Sequence, residues 1–417
     1  MTDHRITGFR DAEAGLKIND LHQALYDADP VFLPRTVVCL HGQEHIKKKR
    51  TVMSVFTRKF FRHYQNHVYP AGLKETLAPA VAAGGGDMVR FAYRVLVNLV
   101  SDTAGLDRDH TPEETDRIQA LIGKLGHAPT MGQMIGGDRD TLLTEIKEAL
   151  AEFESDFFLP STARRKKLIA RVEAGEMDEA DLPNDVITAM LRAYPDDSLD
   201  HDERVKDAAF FILAGAFTTA NVLMNTMHEI LGWLEKHPED RAKLVEDPAL
   251  LQKFVMESIR LHPASPIARR RALTDMELPD GHDLQEGEFV AMDLMEANRD
   301  PDIFGADAAE FNPHRDLPDR IAQHGLSFGG GMHSCLGRIL AAGVPAAKDG
   351  SQSQTGETEW GTIHMVAQEL LALGMTRDPD TPSEIDESTT RKHFKTFPFV
   401  FDPQQAVPRR DAGGAHP

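Results

Sequence analysis

The stretch DHDERVKDAAFFILAGAFTTANVLMNTMHEILGWLEKHP, residues 200–238, restricts the possible folds of this chain more than any other segment. Only Gly215 and Gly232 interrupt its helical pattern, and its middle is mostly apolar. A helix that is hydrophobic nearly all round has to be covered by neighbouring elements in a soluble protein. The stretch therefore predicts a long core helix deep inside a helix-rich fold.

The rest of the chain repeats this helical periodicity with few strand signals. Residues 11–27 read as one amphipathic helix, and residues 88–106 read as another. Residues 270–294 alternate between apolar and polar and contain turn residues, which is typical of a small sheet. We expect one large, mainly α domain with a minor β portion over residues 1–402. A polar insertion is expected at about 344–361, and a disordered tail at 403–417.

Composition excludes several classes of function. The 417 residues carry 46 Lys and Arg against 66 Asp and Glu, a formal net charge of −20, which argues against nucleic-acid binding. The first twenty residues are polar, and no apolar run approaches the roughly 20 residues that span a bilayer. Two cysteines make a disulfide framework implausible. We expect a cytoplasmic protein without a membrane anchor.

The loop SFGGGMHSCLGRILA, residues 327–341, carries one of the two cysteines, Cys335. Three glycines before it suggest backbone pressed against a flat or bulky neighbour. An apolar run with helical spacing follows, so the thiol is predicted at a helix N-terminus, where backbone N–H groups favour the thiolate. A buried structural cysteine, a catalytic thiol and an axial ligand to haem iron all fit this loop. A zinc site does not, because no second cysteine lies within ligand spacing.

Further motifs surround this loop in the sequence. Glu257 and Arg260 are three residues apart and can pair on one helix face, as an ordinary surface ion pair also would. Arg315 follows in the segment FNPHR. Within the long helix, Ala214 and Gly215 precede Thr218 by about one turn. Such a small-residue gap beside a hydroxyl suits either a flat ligand or close helix packing.

Together these motifs resemble the cytochrome P-450 family of haem-thiolate monooxygenases, in its soluble bacterial type. The order matches the family's: a small-residue and threonine helix, E-x-x-R, NRDP, F-x-P-x-R, and F-x-x-G-x-H-x-C-x-G. The match covers about residues 40 to 400. It implies the cytochrome P-450 fold, a single large helical domain around haem b.

The resemblance also implies roles for individual residues. Cys335 would be the axial thiolate and Thr218 the catalytic hydroxyl, while Glu257, Arg260 and Arg315 would form a buried ion-pair triad. The haem-binding positions, including the partners of its two propionates, would be Ala214, Gly215, His45, Lys49, Arg270, Phe328, Gly331 and His333. His41 and His45 are also four apart and could chelate a metal, but no third ligand is evident.

The implied activity is oxidation of a hydrophobic small molecule with O₂ and electrons from a separate ferredoxin-type donor and its reductase. The pocket wall would include Phe210, Phe211, Ala214, Gly215 and Thr218, with Pro266, Ile267 and Ala268 opposite. A peroxide-driven peroxygenase and a haem-thiolate protein without productive oxygen activation are the alternatives.

Three departures from the family pattern keep these alternatives open. Phe217 stands where the family usually has an acid. The chain before His45 is short, so the usual first helix and strands are expected to be partly missing. Finally, Gly343 and Pro345 are expected to end the helix after Cys335, which in the family runs on unbroken.

Overall fold

The computed structural model describes residues 3–195, 198–345, 358–388, 390–391 and 393–408. Helices dominate it, and short strands form a smaller part, so the predicted fold class is confirmed. The helices are α1 Phe9–Gly15, α2 Gly42–Val52, α3 Arg58–His63, α4 Tyr69–Ala83, α5 Met88–Ala104, α6 Pro112–Leu125, α7 Arg139–Phe153, α8 Leu159–Glu173, α9 Val186–Ala193, α10 His201–Leu234, α11 Asp240–Glu246, α12 Pro248–Leu261, α13 Leu294–Ala297, α14 Pro301–Phe304, α15 Arg338–Ala342 and α16 Thr362–Ala372. The strands are β1 His4–Ile6, β2 Leu21–Gln23, β3 Gly85–Asp87, β4 Ile267–Ala272, β5 Met276–Glu277, β6 Asp283–Leu284, β7 Phe289–Asp293, β8 Met375–Arg377, β9 Glu384–Asp386, β10 His393–Thr396 and β11 Pro398–Phe401.

Helix α10 is the long core helix that the sequence predicts. It begins after Asp200, whose side chain accepts hydrogen bonds from the first free N–H groups of the helix. It packs most extensively along α5, where a Cβ on Gly215 would lie only 2.8 Å from Cγ1 of Val100. Among the described residues it alone is long and apolar enough to cross a bilayer, and 67% of its most apolar window is buried inside the protein. That burial is what a core helix requires.

The main sheet has four strands in the order β1-β7-β4-β2. Strand β1 runs parallel to β7, whereas β4 is antiparallel to both of its neighbours. A three-stranded sheet, β3-β11-β8, and two two-stranded ladders complete the β portion. The small sheet predicted at 270–294 is therefore confirmed, and it extends back to Ile267.

The single helix predicted over residues 11–27 is wrong. Helix α1 ends at Gly15, and Leu21–Gln23 form strand β2, paired with Ala272–Arg270 of β4. Leu21 is buried in this sheet, and its cross-strand hydrogen bonds outweigh the helical spacing of the apolar residues. The described residues before His45 form β1, α1, β2 and the first turn of α2.

The predicted insertion and tail lie partly outside the described residues. Residues 346–357 and 409–417 are not among them. In the described part of the predicted tail, residues 403–408, the Val407 N–H donates to the Ala372 carbonyl at 2.9 Å. At the insertion, α15 ends at Ala342, as the glycine and proline that follow it predict.

The predicted ion-pair triad is formed. One edge of the Arg260 guanidinium group donates two hydrogen bonds to Glu257, from Nε to Oε2 at 2.8 Å and from Nη2 to Oε1 at 2.7 Å. Nε of Arg315 lies 3.4 Å from the same Oε1. All three side chains are buried, so Glu257 and Arg260 are not an ordinary surface ion pair.

Candidate active site

Cys335 lies at the start of α15 and faces an internal cavity. Its backbone N–H donates to the Phe328 carbonyl at 3.0 Å, which closes the loop 328–335. Its sulfur accepts from the N–H groups of Gly337 and Arg338, so the predicted position at a helix N-terminus is confirmed. Burial raises the pKa of the Cys335 thiol, and those N–H groups act against the rise. The surface that this side chain exposes belongs to the cavity wall.

The glycine run before Cys335 packs in a different way from that expected. Gly329 lines the cavity, but Gly331 does not. Gly331 has φ +60°, and a Cβ there would lie 2.3 Å from the Leu16 carbonyl oxygen. The N-terminal segment, rather than a flat ligand, therefore requires glycine at this position. Phe328 does line the cavity and packs edge-on against His324 at 4.9 Å.

The four predicted basic residues converge on one end of the cavity. His45, Lys49, Arg270 and His333 all line it, from α2, β4 and the cysteine loop. Nζ of Lys49 donates to the Met332 carbonyl at 2.7 Å, and the His45 and His333 rings are 4.4 Å apart. Nη1 of Arg270 donates to Oε1 of Gln23 at 2.8 Å.

Burial lowers the pKa of each of these groups. The pKa of Arg270 falls to about 10 and that of His333 to about 2, while those of His45 and Lys49 are also lowered. Nε2 of His333 is buried without a hydrogen-bond partner among the described residues. Such a cluster of buried hydrogen-bond donors favours the binding of an anion.

His41 takes no part in this cluster. It precedes α2, its ring stands 5.1 Å from that of His22, and it does not line the cavity. The described residues contain no group of three or more His, Cys, Asp or Glu side chains placed to hold a metal. The alternative of a metal chelated by His41 and His45 therefore has no third ligand in the described part of the chain.

The opposite wall comes from α10. Ala214, Gly215 and Thr218 line the cavity, as predicted, and so do Phe210 and Phe211. Oγ1 of Thr218 donates to the Ala214 carbonyl at 2.6 Å, so its lone pairs remain free to accept a hydrogen bond. Gly215 also permits the close approach to α5, so close helix packing, one of the two interpretations of the small-residue gap, is confirmed, and the flat ligand stays a prediction.

Phe217 points away from the cavity. Its ring lies 5.3 Å from that of Tyr93 and 6.3 Å from that of His393, and it closely approaches Gly126. The predicted wall across from α10 is present at Ile267 and Ala268, whereas Pro266 is not among the lining residues.

Several lining residues escaped the sequence analysis, among them two polar ones near the N-terminus. Tyr26 and Gln23 enter the cavity wall from β2 and the segment after it. The only signal for them was the alternation in LHQAL, which the helical interpretation of residues 11–27 concealed.

Comparison with known proteins identifies the fold around this cavity. The family model for cytochrome P450 matches residues 29–342, about three quarters of the chain. The chain belongs to the cytochrome P450 family. This confirms the resemblance inferred from the motifs.

Two curated relatives illustrate the similarity within the cytochrome P450 family. The mycinamicin VIII C21 methyl hydroxylase of Micromonospora griseorubida is 35% identical over 37% of this chain and 37% of its own length. The luteothin monooxygenase of Streptomyces thioluteus is 31% identical over 53% of this chain and 48% of its own length. The matched segment thus spans half or less of each relative.

Solved structures of cytochrome P450 proteins share the whole fold. CalO2 has a TM-score of 0.71 at 21% identity, covering 96% of this chain and 90% of the other. A mutant of P450 EryK in complex with erythromycin B has a TM-score of 0.67 at 23% identity, covering 98% and 92%. At this identity the likeness establishes the fold alone.

The residues around the cavity fit the haem that the cytochrome P450 family implies. The Cys335 thiol faces the cavity, and apolar side chains from α10 and α15 form much of the cavity wall. Arg270 and Lys49 would offer two cations to the two haem propionates, and the buried Nε2 of His333 would offer a further polar contact. Among the described residues, no carboxylate lines this cavity to oppose them.

Proposed function

We propose that this protein is a haem-thiolate monooxygenase that oxidises a hydrophobic small molecule with O₂. Cys335 would bind the haem iron through its thiolate, and the cofactor would be haem b. The observation that carries this proposal is the Cys335 thiol facing a cavity that Thr218 also lines. Haem, when bound, would activate O₂, and thiolate ligation favours cleavage of the O–O bond.

The chain's own residues would hold the cofactor through charge and shape. Arg270 and Lys49 would pair with the propionates, and His45 and His333 would contribute polar contacts at the same end. Arg270 suits this role because the groups that accept its hydrogen bonds, the Gln23 amide and the Arg269 carbonyl, are neutral. A buried cation gains most from an anionic partner. Phe328, Ala214 and Gly215 would form apolar walls, whereas Gly331 would act only through the loop backbone.

Thr218 is the proposed catalytic residue. With its hydrogen committed to the Ala214 carbonyl, Oγ1 of Thr218 can accept a hydrogen bond from water or substrate in the cavity. Rotation of the same hydroxyl would pass its proton toward the cavity. The residue can therefore hold a proton at a defined atom beside the bound substrate.

The remaining parts of the proposal rest on the family and on the lining. The names of the two relatives, a methyl hydroxylase and a monooxygenase, support the reaction class. The mainly apolar wall suits a hydrophobic substrate. We further propose one haem-binding domain over residues 1–402, a cytoplasmic location, and electron supply by a separate ferredoxin-type protein with its reductase.

Phe217 favours one second candidate, a peroxide-driven peroxygenase. The residue immediately before Thr218 is Phe217 and not an acid, so this position cannot resupply protons to Thr218. A reaction that starts from hydrogen peroxide brings its own protons and electrons. Comparing product formation with hydrogen peroxide against that with a ferredoxin system distinguishes the two candidates.

The test of haem-thiolate ligation is a carbon monoxide difference spectrum of the reduced, haem-loaded protein. We expect the band typical of thiolate ligation. Replacing Cys335 by Ser should abolish it, whereas Cys39→Ser should leave it unchanged, because Cys335 lines the cavity and Cys39 does not. A band of the histidine-ligated type in the wild type, or failure to bind haem, would contradict the proposal.

A further inference from the structure

The end of α15 and the start of α16 meet in space although seventeen residues separate Gly343 from Gly361 in the chain. A Cβ on Gly343 would lie 2.2 Å from the Trp360 carbonyl oxygen, and one on Gly361 would lie 2.2 Å from the Gly343 nitrogen. Both glycines have positive φ, of +73° and +83°. Oγ1 of Thr362 donates to the Leu340 carbonyl at 3.0 Å. The chain thus leaves the helix at Gly343 and returns to the same place.

A break of this kind leaves helix-end groups to be satisfied, because the last carbonyls of a helix lack partners within it. Gln252, on α12, meets this need from the buried side. Its Nε2 donates to the Ala342 carbonyl at 2.6 Å, and its Oε1 lies 3.0 Å from Nδ1 of His364 on α16. Gln252 is fully buried. One side chain therefore joins the end of α15 to the first turn of α16.

Gln65 holds the returning segment from the other side. It lies in the π-helical turn Tyr64–Val68, between α3 and α4. Its Nε2 donates to the Thr358 carbonyl at 3.2 Å, and its Oε1 accepts from the Trp360 N–H at 3.0 Å. This two-point contact copies the pairing of neighbouring β-strands. The leaving and returning segments also bond each other directly, because the Val344 N–H donates to the Glu359 carbonyl at 2.8 Å.

We propose that Gln65 and Gln252 are positioning residues for Cys335, an inference that rests on the proposed role of Cys335 as haem ligand. Helix α15 has only five residues and begins three residues after Cys335. The N–H groups of Gly337 and Arg338, which bond the Cys335 sulfur, stand at its start. Because α15 is too short to be stable alone, its position depends on the junction with α16. The two glutamines fix that junction and, through it, the sulfur.

The test compares three glutamine variants of the full-length, haem-loaded protein. Gln65→Met and Gln252→Met keep side-chain length and remove the hydrogen bonds. Gln368→Met is the matched control, because Gln368 also lies on α16 and its Nε2 bonds the Val245 carbonyl of α11. We expect the reduced carbon monoxide complex of the first two variants to lose its thiolate band roughly tenfold faster than the control. Amide hydrogen exchange of residues 338–343 should rise in the same two variants.

A deletion variant separates positioning from general stability. Removal of residues 344–360 joins Gly343 to Gly361 and removes both partners of Gln65. In that background Gln65→Met should no longer affect the thiolate band. If the deletion variant does not fold, the comparison of the three single variants decides.

The outcomes are distinguishable from failure of the proposed function. A wild type without a thiolate band contradicts the role of Cys335 itself. A wild type with that band, together with Gln65 and Gln252 variants that keep it as long as Gln368→Met does, overturns the positioning inference alone.

Discussion

Arg260 and Glu257 form a two-point ion pair within one turn of α12, and the arginine has no solvent exposure at all. The remaining donors of Arg260 bond backbone carbonyls, including that of Ala308 at 2.7 Å. Buried charges are tolerated only when they are paired in this way. The pair therefore joins α12 to the segment that follows α14.

Removing one member of this pair should be costly. We expect Glu257→Gln to lower the free energy of unfolding by about 3–5 kcal/mol, because it leaves Arg260 buried without its counter-charge. Urea unfolding monitored by circular dichroism measures this loss. The matched control is Lys17→Gln, which breaks an exposed pair with Glu13 and should cost less than about 1 kcal/mol. Equal losses in the two variants would contradict the argument.

Arg270 should control how tightly the cofactor is held. Its pKa is lowered to about 10 by burial, and the charge of Tyr26 opposes the change. An anion at this end of the cavity would offset the free-energy cost of burying the charged guanidinium. We expect Arg270→Gln to release haem to an apoprotein acceptor roughly tenfold faster than the wild type.

The neighbouring Arg271 supplies the control for that measurement. It follows Arg270 in β4, so its side chain points to the opposite face of the sheet, and it does not line the cavity. Arg271→Gln should release haem at the wild-type rate. Equal rates in Arg270→Gln and the wild type would place the anion elsewhere.

Most of this site was predictable because its residues belong to strong local patterns. Cys335, His333 and Thr218 stand in motifs with fixed spacing, and all three line the cavity. The buried triad was likewise predictable from E-x-x-R and the later Arg315. These patterns are short, and each is read within one helix or loop.

What escaped prediction depends on contacts between distant segments. Gly331 is held by Leu16, more than three hundred residues earlier, and Tyr26 reaches the cavity because β2 pairs with β4. Phe217 turns toward Gly126 and Tyr93, a direction that helical spacing alone does not fix. Such placements follow from tertiary packing, which local periodicity does not contain.

Asp207 should make stability depend on pH in an unusual direction. The carboxylate is buried on α10, where it lies 2.8 Å from Nζ of Lys48 and accepts from the Val37 N–H at 3.0 Å. Burial outweighs these contacts and raises its pKa from 3.8 to about 6. A folded-state pKa above the unfolded value means that this group stabilises the fold below about pH 4. That contribution is lost as the pH rises through 6.

The measurement is urea unfolding of the wild type and of Asp207→Asn at steps from pH 4 to 7. Relative to the variant, the wild type should lose up to about 3 kcal/mol over this range. Asp138 is the control with a pH dependence of opposite sign, because the Thr141 hydroxyl and N–H groups at the start of α7 lower its pKa. Its contribution is present above pH 3.8 and lost in acid. Parallel curves for the wild type and Asp207→Asn would contradict the prediction.

Phe217 should limit the coupling of electron consumption to product. Proton delivery beside Thr218 needs a group that can be resupplied, and the Phe217 ring cannot donate. The Phe217 ring does not line the cavity and packs between Tyr93, Gly126 and His393. A carboxylate at this position would find the Asn221 amide and the Tyr93 hydroxyl nearby, which are 3.2 Å apart.

We therefore expect Phe217→Glu to raise the product formed per NADH consumed severalfold, with a ferredoxin and its reductase as donor, because a positioned general acid typically speeds proton transfer by about 10²-fold or more. Phe217→Leu is the control, since it removes the ring without adding an acid and should leave the ratio low. Peroxide release, measured in parallel, should fall only in the acid variant. A wild type that already converts nearly all NADH into product, with no gain in Phe217→Glu, would show that another group supplies the protons to Thr218.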